Sequence, residues 1–424
     1  MILRKPALLV ALATLMATPA SAQTTLDKAD TAWILVATCL VLLMTVPGLA
    51  LFYGGLVRKK NVLSTLMQSF AATCLVSLLW IFVGYSLAFS GTGAILGDGA
   101  RLFLAGMTKD SLTGSIPESL FMTFQMTFAI LTPAVICGAF ADRMKFSALL
   151  WFLGAWLLLV YVPVAHWVWG GGFLQAMGFH DFAGGTVVEI NSGVAGLVAA
   201  ILTGKRRGYP HEQFLPHNLI LSVTGASLLW VGWLAFNGGS ALAANVAAAF
   251  ALANTQIAGA AGALAWLAIE WVRHGKPSVL GIISGAVAGL VAITPACAYV
   301  APMGALVIGA LAGFACFFAV SNLKHKFGYD DALDVFGVHG IGGYIGVIGI
   351  GLFGSSSWGG TPGLTEGSLS QLGIQLVGAA VTTLWCGIVS YAILKVIDKA
   401  IGLRVDKQAE IEGLDLNLHG EVVN

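Results

Sequence analysis

The sequence predicts an all-α membrane protein with eleven transmembrane helices, built as an inverted five-helix repeat plus a long eleventh helix. Three observations predict it. Of 424 residues, 58% are apolar and only 10% are Asp, Glu, Lys or Arg, against roughly 25% charged in a soluble domain. Mean hydropathy is +0.87. The basic residues alternate between the two ends of successive apolar runs. So little charge cannot coat two or three soluble domains. A formal net charge of +1 supports no polyanion, so nucleic acid is excluded as a partner and membrane lipid is expected instead. Most of the 54 glycines lie inside the apolar runs, which suits helices packed closely through small residues.

In chain order, residues 1–22 combine a basic start (Arg4, Lys5), a short apolar core and an Ala20-Ser21-Ala22 end. That pattern predicts a secretory signal peptide cut after Ala22, with an apolar core too short to span comfortably. Apolar spans follow near 31–53, 62–89, 117–140, 146–168, 186–203, 218–236, 256–273, 278–294, 299–320, 335–353 and 372–397. Internal Gly and Pro are tolerated in packed membrane helices.

Sixteen basic residues follow odd-numbered spans: Arg58, Lys59, Lys60, Arg143, Lys145, Lys205, Arg206, Arg207, Arg273, Lys276, Lys324, Lys326, Lys395, Lys399, Arg404 and Lys407. The opposite side carries only Lys28, Arg101 and Lys109, and loops 170–185, 237–255 and 354–371 carry none. The positive-inside rule then puts the N-terminus outside and the C-terminus in the cytoplasm. One missed or invented span would scramble the alternation. The expected organisation is a signal peptide (1–22), a membrane domain (23–401) and a cytoplasmic tail (402–424).

Span five is preceded by Asp181 and carries Glu189; span ten is preceded by Asp331 and carries His339. Each acid is separated by seven residues from an ionisable group entering a small-residue helix. Spans one to five and six to ten then read as two halves, and because five is odd the second is inverted. Inverted repeats place a substrate path at their interface near the membrane midplane. An ionisable group at such depth is by default a functional candidate. Taken singly, His339 could be a neutral imidazole satisfied by a carbonyl, and Glu189 a protonated structural acid. Together at equivalent places they point to the path.

The strings Asp181-Phe-Ala-Gly-Gly-Thr-Val-Val, Ala165-His-Trp-Val-Trp-Gly-Gly-Gly, Gly232-Trp-Leu-Ala-Phe-Asn-Gly-Gly-Ser, Gly289-Leu-Val-Ala-Ile-Thr-Pro-Ala-Cys and Asp334-Val-Phe-Gly-Val-His-Gly resemble the ammonium transporters of the Amt/MEP/Rh family, the bacterial Amt type in particular. The likeness covers the mature chain, including Gly402-Leu-Arg-Val and Glu412-Gly-Leu-Asp in the tail. It implies a homotrimer in the bacterial inner membrane, each protomer with its own narrow pore for ammonium/ammonia, and no cofactor. Cation recruitment at an outer vestibule would fall to Phe124, Phe128, Trp169 and Ser240, the gate to Phe128 and Phe236, and the buried acid to Asp181. His339 matches the second of the paired pore histidines. Glu189 departs from the family, because most bacterial members carry histidine there, although some fungal and a few bacterial relatives have an acid. A PII-type signal protein would dock on the cytoplasmic face.

The chemistry is consistent with those residues. Ammonium has four donors, no acceptor and nearly the size of potassium, so selection needs acceptors and ring faces. Trp169 and Phe128 offer cation–π attraction of roughly 0.5–2 kcal/mol each, and Ser240 accepts a hydrogen bond. Phe124 and Phe128, four apart, share a helix face, a pattern that core packing or an aromatic belt also produces. An apolar bore imposes several kcal/mol on an unpaired cation. Either the ion gives up its proton and crosses as ammonia, or an anion in the bore stabilises the charged form; a Glu189–His339 proton relay could serve either. Asp181 could cap the helix of span five through backbone N–H groups, with Asp331 and Asp334 doing the same for span ten.

Other signals are weak. The six cysteines lie in or beside apolar stretches without metal spacing and read as small buried side chains. Gly349-Ile-Gly-Leu-Phe-Gly fits GxGxxG but sits within a span, with no strand before it. Gly281, Gly285 and Gly289 fit close packing, within the bundle or between subunits. Without HExxH or GxSxG, an intramembrane hydrolase is disfavoured. An ammonium sensor is the alternative, and its discriminator would be a signalling domain after span eleven. The mixed charges of residues 402–424 alone read as a solvated tail, whereas the resemblance implies that the tail packs on the cytoplasmic face.

Overall fold

The computed structural model of the chain describes residues 25–423; the expected signal peptide, residues 1–22, lies outside them. Among the described residues ten helices are long and apolar enough to cross a membrane, and an eleventh apolar helix is shorter. In chain order they are α1 (Lys28–Leu56), α2 (Lys59–Phe89), α3 (Glu118–Phe140), α4 (Phe146–Ala176), α5 (Gly185–Thr203), α6 (Leu219–Gly239), α7 (Val246–His274), α8 (Val279–Ile293, the short one), α9 (Pro302–Phe327), α10 (Phe336–Phe353) and α11 (Ser370–Ile401). The total is consistent with the eleven expected spans. A two-residue pairing of Leu112–Thr113 with Ile116–Pro117 is a minor addition between α2 and α3.

Local chemistry sets the helix ends. Asp27 caps α1, and Asn218, Asn245 and Ser278 cap α6, α7 and α8 through their side-chain oxygens. Gly275, at φ 74°, ends α7 in the left-handed conformation that a side chain resists. The sequence suggests a start for the seventh span near residue 256, ten residues late. Asn254 and Thr255 look like a boundary but lie inside α7. Asn254 Nδ2 donates to the carbonyls of Cys297 (2.8 Å) and Val300 (3.0 Å), and Asn237 Nδ2 donates to Thr255 Oγ1 (2.8 Å). A buried amide is tolerated in a span when its donors find partners.

Small residues fix the packing of α7 on α8. A Cβ on Gly262 would come within 2.8 Å of Gly289 Cα, and one on Gly285 within 3.1 Å of Ala263 Cα. The glycine row 281–285–289 therefore serves contacts within the chain. The long α11 lies across α4, α5 and α10 and ties the two halves together.

The basic loops after α1, α3 and α5 converge on one end of the bundle, together with the segment before α10. Arg206 pairs with Asp330 (2.7 Å) and Arg58 with Asp142 (3.2 Å). Arg143, fully buried, donates to the carbonyls of Gly204 and Asp330. The tail is also part of this end. It forms a short helix, α12 (Lys407–Glu412), whose Glu410 receives Arg404 at 2.8 Å and Arg207 at 3.6 Å. Asp415 then accepts from the backbone N–H of Leu63 (3.0 Å) and Ser64 (2.8 Å), capping the first turn of α2. The tail is thus docked, where its composition alone suggests a solvated segment.

Candidate functional site

Helices α5 and α10 begin alike. Each opens with a π-turn, Gly185–Ile190 in α5 and Phe336–Gly340 in α10, a widened geometry frequent at functional sites. The turns carry Glu189 and His339 to the bundle axis. A Cβ on Gly343 would come within 3.0 Å of Glu189 Cβ, so glycine there lets the two helices cross at backbone distance. Glu189 Oε2 and His339 Nδ1 lie 2.6 Å apart, and the side chains are 1% and 9% exposed. The two ionisable groups expected to meet therefore do meet, inside the bundle.

Three voids lie along this axis. At the centre is a void of about 10 Å³, walled by Leu131, Val135, Val188, Trp233, Glu189 and His339. Toward the basic end, with His339 in the wall of both, lies a cavity of about 540 Å³ bordered by Phe52, Tyr53, Trp266, Phe317, Lys324 and Asp334. At the opposite end lies a cavity of about 370 Å³ that Phe128, Trp169, Asp181 and Ser240 share. Between this last cavity and the centre stand two rings. Phe128 and Phe236 overlap with centroids 4.2 Å apart, tilted by 32°, and Trp169 meets Phe128 edge-on at 6.0 Å.

Each sequence-predicted side chain has a definite place. Trp169 is fixed by its indole N–H, which donates to the carbonyl of Asp181 at 2.8 Å. Ser240 donates its hydroxyl proton to the carbonyl of Phe236 at 2.9 Å, which leaves its lone pairs free to accept. Phe124 is fully buried and sits behind Phe128, edge-on at 5.0 Å, away from the cavity wall. Asp181 touches the cavity, but its carboxylate is engaged by the start of α5. It accepts from the N–H groups of Gly184 (2.8 Å), Gly185 (2.6 Å) and Thr186 (2.7 Å) and from the Thr186 hydroxyl (2.6 Å). Asp331 caps α10 through the N–H of Phe336 at 2.7 Å. Asp334 does not cap; it pairs with Lys324 at 2.5 Å, at a left-handed φ of 61°.

Sequence reasoning missed several wall residues of the aromatic cavity. Gln125, His180 and Tyr299 also line it. His180 stands beside the motif acid Asp181 and was legible as a titratable group. Tyr299 sits in the α8–α9 turn, where nothing in the sequence links it to span four.

Comparison with known proteins agrees with this geometry. The family model described as Ammonium Transporter Family matches residues 32–424. The chain is 50% identical over 400 residues to an ammonium transporter of Bacillus subtilis, covering 93% of this chain and 98% of that protein. It is 49% identical over 405 residues to one of Aquifex aeolicus, covering 93% of each. Among solved structures, Candida albicans Mep2 superposes with a TM-score of 0.85 at 36% identity, covering 91% of this chain and 88% of that one. A structure described as Sensor Amt Protein superposes with a TM-score of 0.86 at 28% identity, covering 92% and 98%.

Proposed function

The chain belongs to the ammonium transporter family, and from that premise we propose how it carries ammonium/ammonia through a narrow pore within each protomer. The cation is recruited in the cavity of Trp169, Phe128 and Ser240, at the end of the bundle opposite the basic loops. Ring faces and the Ser240 oxygen replace part of its hydration. The overlapped Phe128 and Phe236 rings must swing aside for passage. Beyond them the bore offers one polar station, Glu189 with His339.

The observation that carries this reading is the 2.6 Å contact of Glu189 with His339 at an apolar constriction between two cavities. A carboxylate beside an imidazole can take the proton that ammonium must shed in an apolar bore, and hand it on. Glu189 supplies an acceptor where a second imidazole would be weaker, which loosens selection against other monovalent cations.

The positive-inside pattern supports a cytoplasmic tail and an N-terminus outside, in a bacterial inner membrane with residues 1–22 removed. A homotrimer and a PII-type partner on the basic face belong to the same reading. A sensor role is the second reading; the likeness to the Sensor Amt Protein favours it.

Currents and uptake in proteoliposomes test the transport reading. Glu189→Gln, which removes the proton acceptor, is expected to lower ammonium uptake by about tenfold or more. Glu189→His is expected to keep uptake and to change the ammonium-to-potassium ratio. Full uptake with unchanged selectivity in both variants would discard the Glu189 role, and a wild type with no ammonium flux would favour the sensor.

A further inference from the structure

The aromatic cavity contains a titratable side chain that the transport reading leaves unused. His180 is half-buried in its wall. Gln375 of α11 holds its backbone on both sides, accepting from the His180 N–H at 2.9 Å and donating to the His180 carbonyl at 2.8 Å. The imidazole lies against Tyr299, ring centroids 4.9 Å apart, and Tyr299 in turn meets Phe182 edge-on at 5.5 Å. Among the described residues the hydrogen bonds of His180 run through its backbone, and its ring nitrogens make none. A fixed imidazole with an uncommitted nitrogen, in the cavity where a cation would dehydrate, is an acceptor without an assigned donor.

We propose that His180 is a second acceptor for the cation in this cavity, beside Ser240, and that protonation of His180 turns the acceptor off, so that acid on that side weakens recruitment. The inference rests on the transport reading above and adds a pH control to the same site. Neutral imidazole offers one lone pair; imidazolium offers none and carries a charge of the same sign as the substrate.

The surroundings leave that charge little compensation. Among the described residues, Asp181 and Tyr299 alone join His180 as titratable groups in the cavity wall. The Asp181 carboxylate is already taken by the N–H groups of α5. Burial pushes the Tyr299 phenol up, so it stays neutral. Helix α11 presents the neutral Gln371 and Gln375, α4 presents Trp169 and Gln175, and α3 presents Gln125 and Phe128. Burial also lowers the pKa of His180 below the ordinary histidine value. The ring is therefore neutral at neutral pH and charges only in acid, while ammonium itself stays protonated throughout.

The test is the ammonium current of the full-length protein in proteoliposomes, with pH on the aromatic-cavity side stepped from about 8 to about 4, which extends the ordinary histidine range into acid because burial lowers the His180 value. Wild type is expected to show a KM for ammonium that rises several-fold toward acid, with little change in maximal current. His180→Gln keeps a neutral acceptor that cannot titrate, and is expected to flatten the KM profile. His180→Leu is expected to flatten it as well and to raise KM at pH 8. A wild-type KM that does not rise in acid, or a rise that persists unchanged in both variants, overturns the role of His180 and leaves transport intact. Absence of any wild-type current defeats the transport reading itself.

Discussion

Asp181 and Asp331 each stand eight residues before an ionisable group buried inside the bundle, and each starts a helix that opens with a π-turn. Their surroundings differ. Asp181 spends both carboxylate oxygens on three close backbone N–H groups and a hydroxyl. Asp331 receives one backbone N–H, and its other oxygen is buried without a partner. Asp334 lies three residues away and takes Lys324 as its own counter-ion. Burial, then the neighbouring Asp334, raise the pKa of Asp331 from 3.8 to about 6. The same sequence signature therefore yields a carboxylate with both oxygens engaged in one half and one with an unpartnered oxygen in the other.

The contrast can be broken by mutation. Asp181→Ala removes an acceptor from several buried N–H groups at once. Each orphaned donor costs about 1–3 kcal/mol, so the largest loss of thermal stability is expected here, with uptake lost alongside it. A melting temperature close to wild type in detergent would end the anchor role. Asp331→Asn sharpens the comparison through pH. An acid whose folded pKa lies above its unfolded value stabilises the fold fully below the unfolded value of 3.8, and that contribution is lost as pH rises through about 6. A shift of this size corresponds to about 3 kcal/mol at most. Above pH 6 the Asn variant is thus expected to melt at or above wild type, and the difference should shrink toward pH 4. A constant difference across that range would remove the claim. The smallest effect is expected from Lys324→Met, which strips the partly exposed Asp334 of a largely buried partner and costs about 1–2 kcal/mol. It should also move the pH dependence attributed to Asp331 upward, since two acids would then share one uncompensated pocket.

Much of this architecture is legible in the residues. Sixteen basic residues on one side of the spans forecast the converging loops at one end, where Arg58, Arg143, Arg206 and Arg404 now interlock. Glu189 and His339 were legible because an ionisable group in a small-residue apolar run is too costly to bury there without a task. What escaped the sequence depended on distant partners. Asn254 and Thr255 pass for a helix boundary until the carbonyls of the α8–α9 turn and the amide of Asn237 are placed beside them. Asp415 looks like one acid of a polar tail until the free N–H groups of Leu63 and Ser64 need an acceptor. Phe124 shares a helix face with Phe128, but only packing shows that it backs the ring rather than facing the cavity.

The overlap of Phe128 and Phe236 at 4.2 Å has a consequence for the cell as a whole. Two rings this close leave no room for a water molecule between their faces. Under the transport reading this contact is the seal that keeps an idle protein from draining the gradients across its membrane.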